Sequence, residues 1–107
     1  MRAGKLRHSI QIQKKVILTD SFGEEQITYD DWILAYASIE PIGGREYFLA
    51  QQTQSAVDYK FTTRYRSGMR PDYRILWGTR IFDIVSILNP EERNIQLILY
   101  CKEQITP

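Results

Sequence analysis

The stretch Ala56-Val57-Asp58-Tyr59-Lys60-Phe61-Thr62-Thr63-Arg64-Tyr65-Arg66 alternates without a break. Val57, Tyr59, Phe61, Thr63 and Tyr65 fall on one side of an extended chain, and Asp58, Lys60, Thr62, Arg64 and Arg66 on the other. Successive side chains of a strand point to opposite faces, so an extended chain collects the bulky residues on one side while a helix would scatter them. The reading is a half-buried strand, with aromatics toward a core and cations toward solvent.

The same period extends outward in both directions. Toward the N-terminus, Ile10, Ile12 and Val16 alternate with polar residues and predict a strand over 8–16. Residues 18–25 are polar and turn-rich. A second extended segment covers about 26–40, with Ile33, Ala35, Ala37 and Ile39 on one face and Trp32, Leu34 and Tyr36 on the other. Two apolar faces imply a central strand, or one bent around the core. Pro41-Ile42-Gly43-Gly44 then breaks the chain, and residues 45–54 are rich in helix formers, which predicts a helix of two or three turns or a loop.

Toward the C-terminus, Ser67-Gly68 and Pro71-Asp72 mark a turn region before strands over 73–77 and 80–88. Gly78-Thr79 between those two runs predicts a hairpin of the second primed type. Residues 89–94 form another turn, and Ile95, Leu97, Leu99 and Cys101 continue as a final alternating strand. The expectation is all-β: a small antiparallel β-barrel of about six strands, with one short helix inserted after the second strand. Closure buries one face and removes exposed edges. Residues 1–107 read as a single domain, in line with the usual domain length of about 100–200 residues.

Composition excludes several classes of function. The chain is 43% hydrophobic and 25% charged, ordinary for a globular domain. One cysteine, Cys101, permits neither an internal disulfide nor a cysteine-rich zinc site, and one histidine, His8, excludes a site with two imidazoles. No cofactor or metal is expected. The uncharged stretches 32–39 and 94–101 run to eight residues, well short of the roughly 18 of a membrane helix. The basic opening has no apolar run after it, so a cytosolic location is expected.

Net charge is only +1, yet it is unevenly placed. Residues 1–15 carry +5, residues 16–59 carry −7, residues 60–80 carry +5 and the remainder −2. A fold that keeps these blocks apart presents opposed surfaces suited to binding its own copies or a stacked partner, whereas a fold that interleaves them cancels the map.

No enzyme signature is present, and no catalytic residue is expected. The acid pairs Glu24-Glu25, Asp30-Asp31 and Glu91-Glu92 read as solvated turn or strand charges. His8-Ser9 alternate faces, and no nucleophile elbow surrounds Ser9. Gly43-Gly44-Arg45 lacks the Lys-Ser or Lys-Thr of a phosphate loop and reads as a strand-to-helix corner. Nucleic-acid binding is the strongest rival. It would use the basic block from Lys60 to Arg80, but the alternation separates aromatics from cations, which suits phosphate attraction to duplex DNA better than base stacking.

The run Ala37-Ser38-Ile39-Glu40-Pro41-Ile42-Gly43-Gly44-Arg45-Glu46-Tyr47-Phe48 resembles the core pattern of the tailed-phage head–tail joining proteins, also called head completion, head closure or stopper proteins. Ala50-Gln51-Gln52, the strand from Tyr59 to Tyr65, Arg80-Ile81-Phe82-Asp83-Ile84 and Asn89-Pro90-Glu91-Glu92-Arg93-Asn94 continue the resemblance. So does the opening Leu6-Arg7-His8 leading into Ile10-Gln11-Ile12-Gln13. It spans nearly the whole chain in order.

The resemblance implies a non-enzymatic connector that forms a ring, usually of twelve copies, beneath the portal and its adaptor. Such a ring closes the DNA channel after packaging and docks the tail. The implied partners are the portal or adaptor protein, a tail completion or terminator protein, further copies of the chain, and packaged double-stranded DNA bound without sequence preference. No membrane is involved, and the implied locations are the bacterial host cytoplasm during assembly and then the virion head–tail interface.

Within that frame the contact loop is expected at Gly43, Gly44, Arg45, Glu46, Tyr47 and Phe48, gating the channel or capping the barrel. Lys60, Arg64 and Arg66 are the expected DNA-facing or subunit-facing cations. Residues 18–25 are a second candidate contact, toward the adaptor or the tail.

Overall fold

The computed structural model describes residues 8–42 and 57–104. Its strands are β1 (His8–Thr19), β2 (Glu25–Pro41), β3 (Tyr59–Arg64), β4 (Arg74–Trp77), β5 (Arg80–Leu88) and β6 (Gln96–Glu103). They close on themselves in the order β1-β2-β3-β6-β5-β4, with every neighbouring pair antiparallel. Among the described residues the helical structure is limited to a 3-10 turn, Pro90–Glu92. The helix expected over 45–54 lies outside the described residues.

The alternation decides what the closed sheet encloses. Ile10 and Ile12 of β1, Ala37 of β2, Phe61 of β3, Ile75 of β4, Phe82 and Ile84 of β5, and Leu97, Leu99 and Cys101 of β6 form one buried cluster. Every strand contributes to it, so no strand is marginal to the core. Phe61 and Phe82 meet edge to face at 4.9 Å, a geometry that favours aromatic pairs beyond their buried area. The β4–β5 turn is as expected: Trp77 pairs with Arg80, and Gly78 takes φ +63 while Thr79 stays out of the left-handed region.

Two bulges break the period. Ile12 pairs with Ile33 and Gln13 with Asp31, which leaves Trp32 as an extra residue in β2. The expectation that Trp32 faces away from Ile33 is therefore corrected: both pack against the core. Ile12 and Gln13 are consecutive yet both buried for the same reason. The side-chain amide of Gln11 donates to the carbonyls of Ile33 (2.9 Å) and Ile12 (3.2 Å) at this bulge. A second bulge leaves Val85 unpaired between Ile84 and Ser86.

Antiparallel closure sends β1, β3 and β5 one way and β2, β4 and β6 the other. One end of the sheet therefore carries the β1–β2 connection together with loops 65–73 and 89–95. The opposite end carries His8, the Gly78-Thr79 turn, Gln104, and the points where the chain leaves at Ile42 and returns at Val57.

Candidate interaction site

β1 pairs with β4 only over Gln11–Gln13, and β2 pairs with β3 only over Ala37–Pro41. Beyond those rungs, residues 14–19 and 25–30 pair only with each other. They form a two-stranded arm that leaves the closed sheet, in keeping with a longest molecular dimension of 48 Å against 29 and 27 Å.

The arm's root is braced by polar groups. The Gln13 amide, buried against the sheet, donates to Asp31 Oδ1 at 2.7 Å, and its oxygen accepts from Arg74 Nε at 2.7 Å. The Arg74 guanidinium lies 4.0 Å from the centre of the Tyr29 ring, a favourable cation–π contact. Trp32 meets Tyr73 edge to face at 5.2 Å. Gly68 packs beside the Trp32 ring and takes φ +89, a conformation that favours glycine.

The arm's tip is a built turn. Asp20 Oδ1 accepts from the backbone N–H groups of Phe22 and Glu24, both at 2.9 Å. The Asp20 N–H donates to the Glu24 carbonyl (2.9 Å), and the Gly23 N–H donates to the Asp20 carbonyl (3.1 Å). This turn holds Phe22 90% exposed to solvent. Ile17 and Ile27, paired across the two strands, are also exposed, as is Leu18. Grouped at one tip, these apolar side chains make the arm a candidate contact face.

A second surface lies where β2 and β3 part. Ala37 and Thr63 form their last rung toward that end. Beyond it a groove of about 200 Å³ opens, lined by Leu34, Tyr36, Arg64, Tyr65, Arg66 and Met69 together with Ile33, Ala35 and Thr63. Leu34 is 70% and Tyr36 64% exposed. Tyr65 was expected on the core face, but β3 ends at Arg64 and the Tyr65 N–H donates instead to the Ile95 carbonyl at 3.0 Å. Past that point the alternation no longer directs the ring, which lies exposed between two arginines.

The opposite end is held by a cluster around Arg80. Its guanidinium donates to both Glu103 oxygens, at 2.8 and 2.9 Å, and lies about 5 Å from the rings of Trp77, Phe82 and Tyr59. Trp77 also meets His8 edge to face at 4.9 Å.

The cations expected to work together are divided between these ends. Lys60 stands 4.0 Å from Glu40, its partner across the β2–β3 rung, toward the end where the chain leaves at Ile42. Arg64 and Arg66 border the groove at the other end. Gly43, Gly44, Arg45, Glu46, Tyr47 and Phe48 lie outside the described residues. The alternation did not reveal the groove, since it forms only where two strands diverge. The exposed Phe22 does have a signal in the sequence: a bulky aromatic inside a turn-rich stretch that no period assigns to a core.

The titratable groups offer contacts rather than chemistry. Burial pushes the Cys101 thiol far above its ordinary pKa, so it stays protonated and inert. The three acid pairs are exposed. Among the described residues no group of three or more His, Cys, Asp or Glu is placed to hold a metal ion, and no helix is long and apolar enough to cross a membrane.

The described residues therefore define a small all-β module, one sheet closed on a packed core, with apolar and charged side chains displayed on an arm and in a groove. More particularly, the chain belongs to the phage head completion protein family, whose model matches residues 1–104. That makes it a structural component of a virion and not an enzyme. No curated protein matches it.

Among solved structures it is similar to protein SF1141 from Shigella flexneri 2a, with 25% identity, 96% of each chain covered and a TM-score of 0.79. It is also similar in fold to a chain of the virion of a native gene transfer agent particle, with 17% identity, 94% of this chain and 97% of that one covered, and a TM-score of 0.67.

Proposed function

We propose that this protein is a head–tail connector subunit: a single domain that forms a ring under the portal or adaptor, closes the DNA channel after packaging and offers a docking surface to a tail completion or terminator protein. Membership of the head completion family carries the reading. The likeness of fold to a chain of a gene transfer agent virion accords with it. The two unlike ends of the sheet support it further, since a subunit stacked between two neighbours needs different surfaces above and below. In this reading the segment from Gly43 to Phe48 is the channel-side contact. It leaves the sheet at Ile42, at the end opposite the arm. The host cytoplasm is the place of assembly and the head–tail interface the final location.

The test is the mass of the purified protein in solution, alone and mixed with its adaptor or portal ring. Joining the ring in a fixed copy number supports the connector reading. A chain that ignores every head component overturns it.

One observation favours a second reading. Tyr36 and Tyr65 share a groove with Arg64 and Arg66, so aromatic and cationic groups are not separated as the alternation implied. A nucleic-acid-binding surface there would show affinity for DNA that falls steeply with salt. The connector reading expects weak binding to free DNA, without sequence preference.

A further inference from the structure

We propose that the arm of one copy docks into the β2–β3 groove of the next, with Phe22 as the anchor, in a head-to-tail contact that repeats around an assembly. This deepens the connector reading and rests on it for the setting in which copies meet.

Three observations carry it. The first is shape: a rigid turn presents an exposed aromatic side chain, and a groove of about 200 Å³ lined by Leu34, Tyr36, Tyr65 and Met69 is open to receive one. Buried aromatic anchors in pockets dominate the energetics of protein contacts. The second is charge. Residues 16–28 carry Asp20, Glu24 and Glu25 and no base, whereas residues 64–70 carry Arg64, Arg66 and Arg70 and no acid. Each surface has an apolar centre and a rim of one sign, and the two signs are opposite.

The third is reach. From Glu25 to Leu34 the chain is continuous strand, at about 3.3 Å per residue, so the tip stands about 30 Å from its own groove along a stiff element. The arm cannot fold back to fill it. A contact between two different patches of identical chains is heterologous, and closes into a ring when the rotation allows.

Disulfide trapping between separately prepared variants tests this. Ser21→Cys protein, which keeps the Phe22 anchor, is mixed with Ser67→Cys protein, whose cysteine stands beside Arg66 at the groove rim, under mild oxidation, and compared with Ser21→Cys mixed with Thr79→Cys, whose exposed cysteine lies at the opposite end. All three positions are exposed, circular dichroism checks the fold, and the native Cys101 is buried and does not compete.

The first mixture is expected to trap at least about tenfold faster, because a specific contact raises the effective concentration of the two thiols. The double variant Ser21→Cys/Ser67→Cys should give a ladder beyond dimers. Glu25→Arg in the donor chain should slow trapping, and Arg66→Glu in the acceptor should restore it.

Equal rates in the two mixtures overturn the proposal. Equal rates together with a Phe22→Ser chain that no longer joins the adaptor ring overturn it in favour of the arm docking on the adaptor, and leave the connector reading standing. Fast trapping by a chain that ignores every head component sustains the contact and removes the connector reading.

Discussion

Arg80 and Glu103 form a two-pronged ion pair, Nε to Oε2 at 2.8 Å and Nη2 to Oε1 at 2.9 Å, joining the first residue of β5 to the last residue of β6. The pair locks the end of the sheet from which the chain leaves at Ile42. Its two parallel bonds fix geometry as well as charge, and the aromatic rings of Trp77, Phe82 and Tyr59 pack around the guanidinium. The hydrogen bond from Arg80 holds the Glu103 carboxyl below the usual carboxylate range, and the same bond raises Arg80 above the ordinary arginine value.

A carboxyl lowered on folding contributes stability above its unfolded pKa, about 4.3 for glutamate, and loses it as pH falls through the folded value. The melting temperature of Glu103→Gln should therefore lie below that of the parent at pH 7, with the gap closing below about pH 4. Thermal unfolding followed from pH 7 to pH 2.5 checks this. A gap that stays constant across the range would remove the pair from the account of acid stability.

Phe61 is fully buried at the centre of the closed sheet, against Phe82. Phe61→Ala should cost about 3–5 kcal/mol, the sum of lost transfer energy and the cavity left behind. Urea unfolding monitored by circular dichroism measures it. A cost under about 1 kcal/mol would mean that the sheet collapses freely around the missing ring.

Arg74 ties the arm to the sheet through Gln13 and Tyr29. Arg74→Ala should destabilise the protein by about 2–4 kcal/mol, in line with one hydrogen bond from a charged group and one half-exposed cation–π contact. The more specific readout is hydrogen exchange: amides of residues 14–19 and 25–30 should exchange faster, while those of β5 and β6 keep their protection. Uniform loss of protection would mean the bracing is not local to the arm.

Cys101 is buried and its thiol is held protonated. The folded protein should therefore be almost inert to a thiol reagent at pH 8, and one thiol per chain should react at once in denaturant. Fast labelling of the folded protein would show that β6 opens readily from its neighbours β3 and β5.

The strands were legible because their signal is local. Five alternating bulky residues from Val57 to Tyr65 marked β3, and Gly78-Thr79 between two apolar runs marked the β4–β5 turn. The head completion resemblance was legible as well, in the residues from Ala37 to Phe48, because a family pattern is carried by the order of residues. The exposed Tyr65 and the inward Trp32 were not. Tyr65 stands one residue past the end of its strand, and Trp32 is the extra residue of a bulge. At Trp32 a single step out of register sends the side chain to the other face, and at Tyr65 the strand that would direct it has ended; no period reports either event.

The amino-acid sequence by itself determined that this is an all-β chain with alternating strands, that it carries no catalytic constellation, and that its charge is divided into blocks. These properties follow from side-chain chemistry and from a two-residue period that acts between neighbours. Only the tertiary structure decided that β3 lies beside β6 and β1 beside β4, that the β1–β2 hairpin outruns the closed sheet as an arm, and that Leu34, Tyr36, Arg64 and Tyr65 face one groove. The physical reason is that strand pairing is a long-range choice. It is settled by which arrangement of strands buries Phe61, Phe82 and their neighbours most completely, and the surfaces left over from that choice are the ones with which the protein can meet its partners.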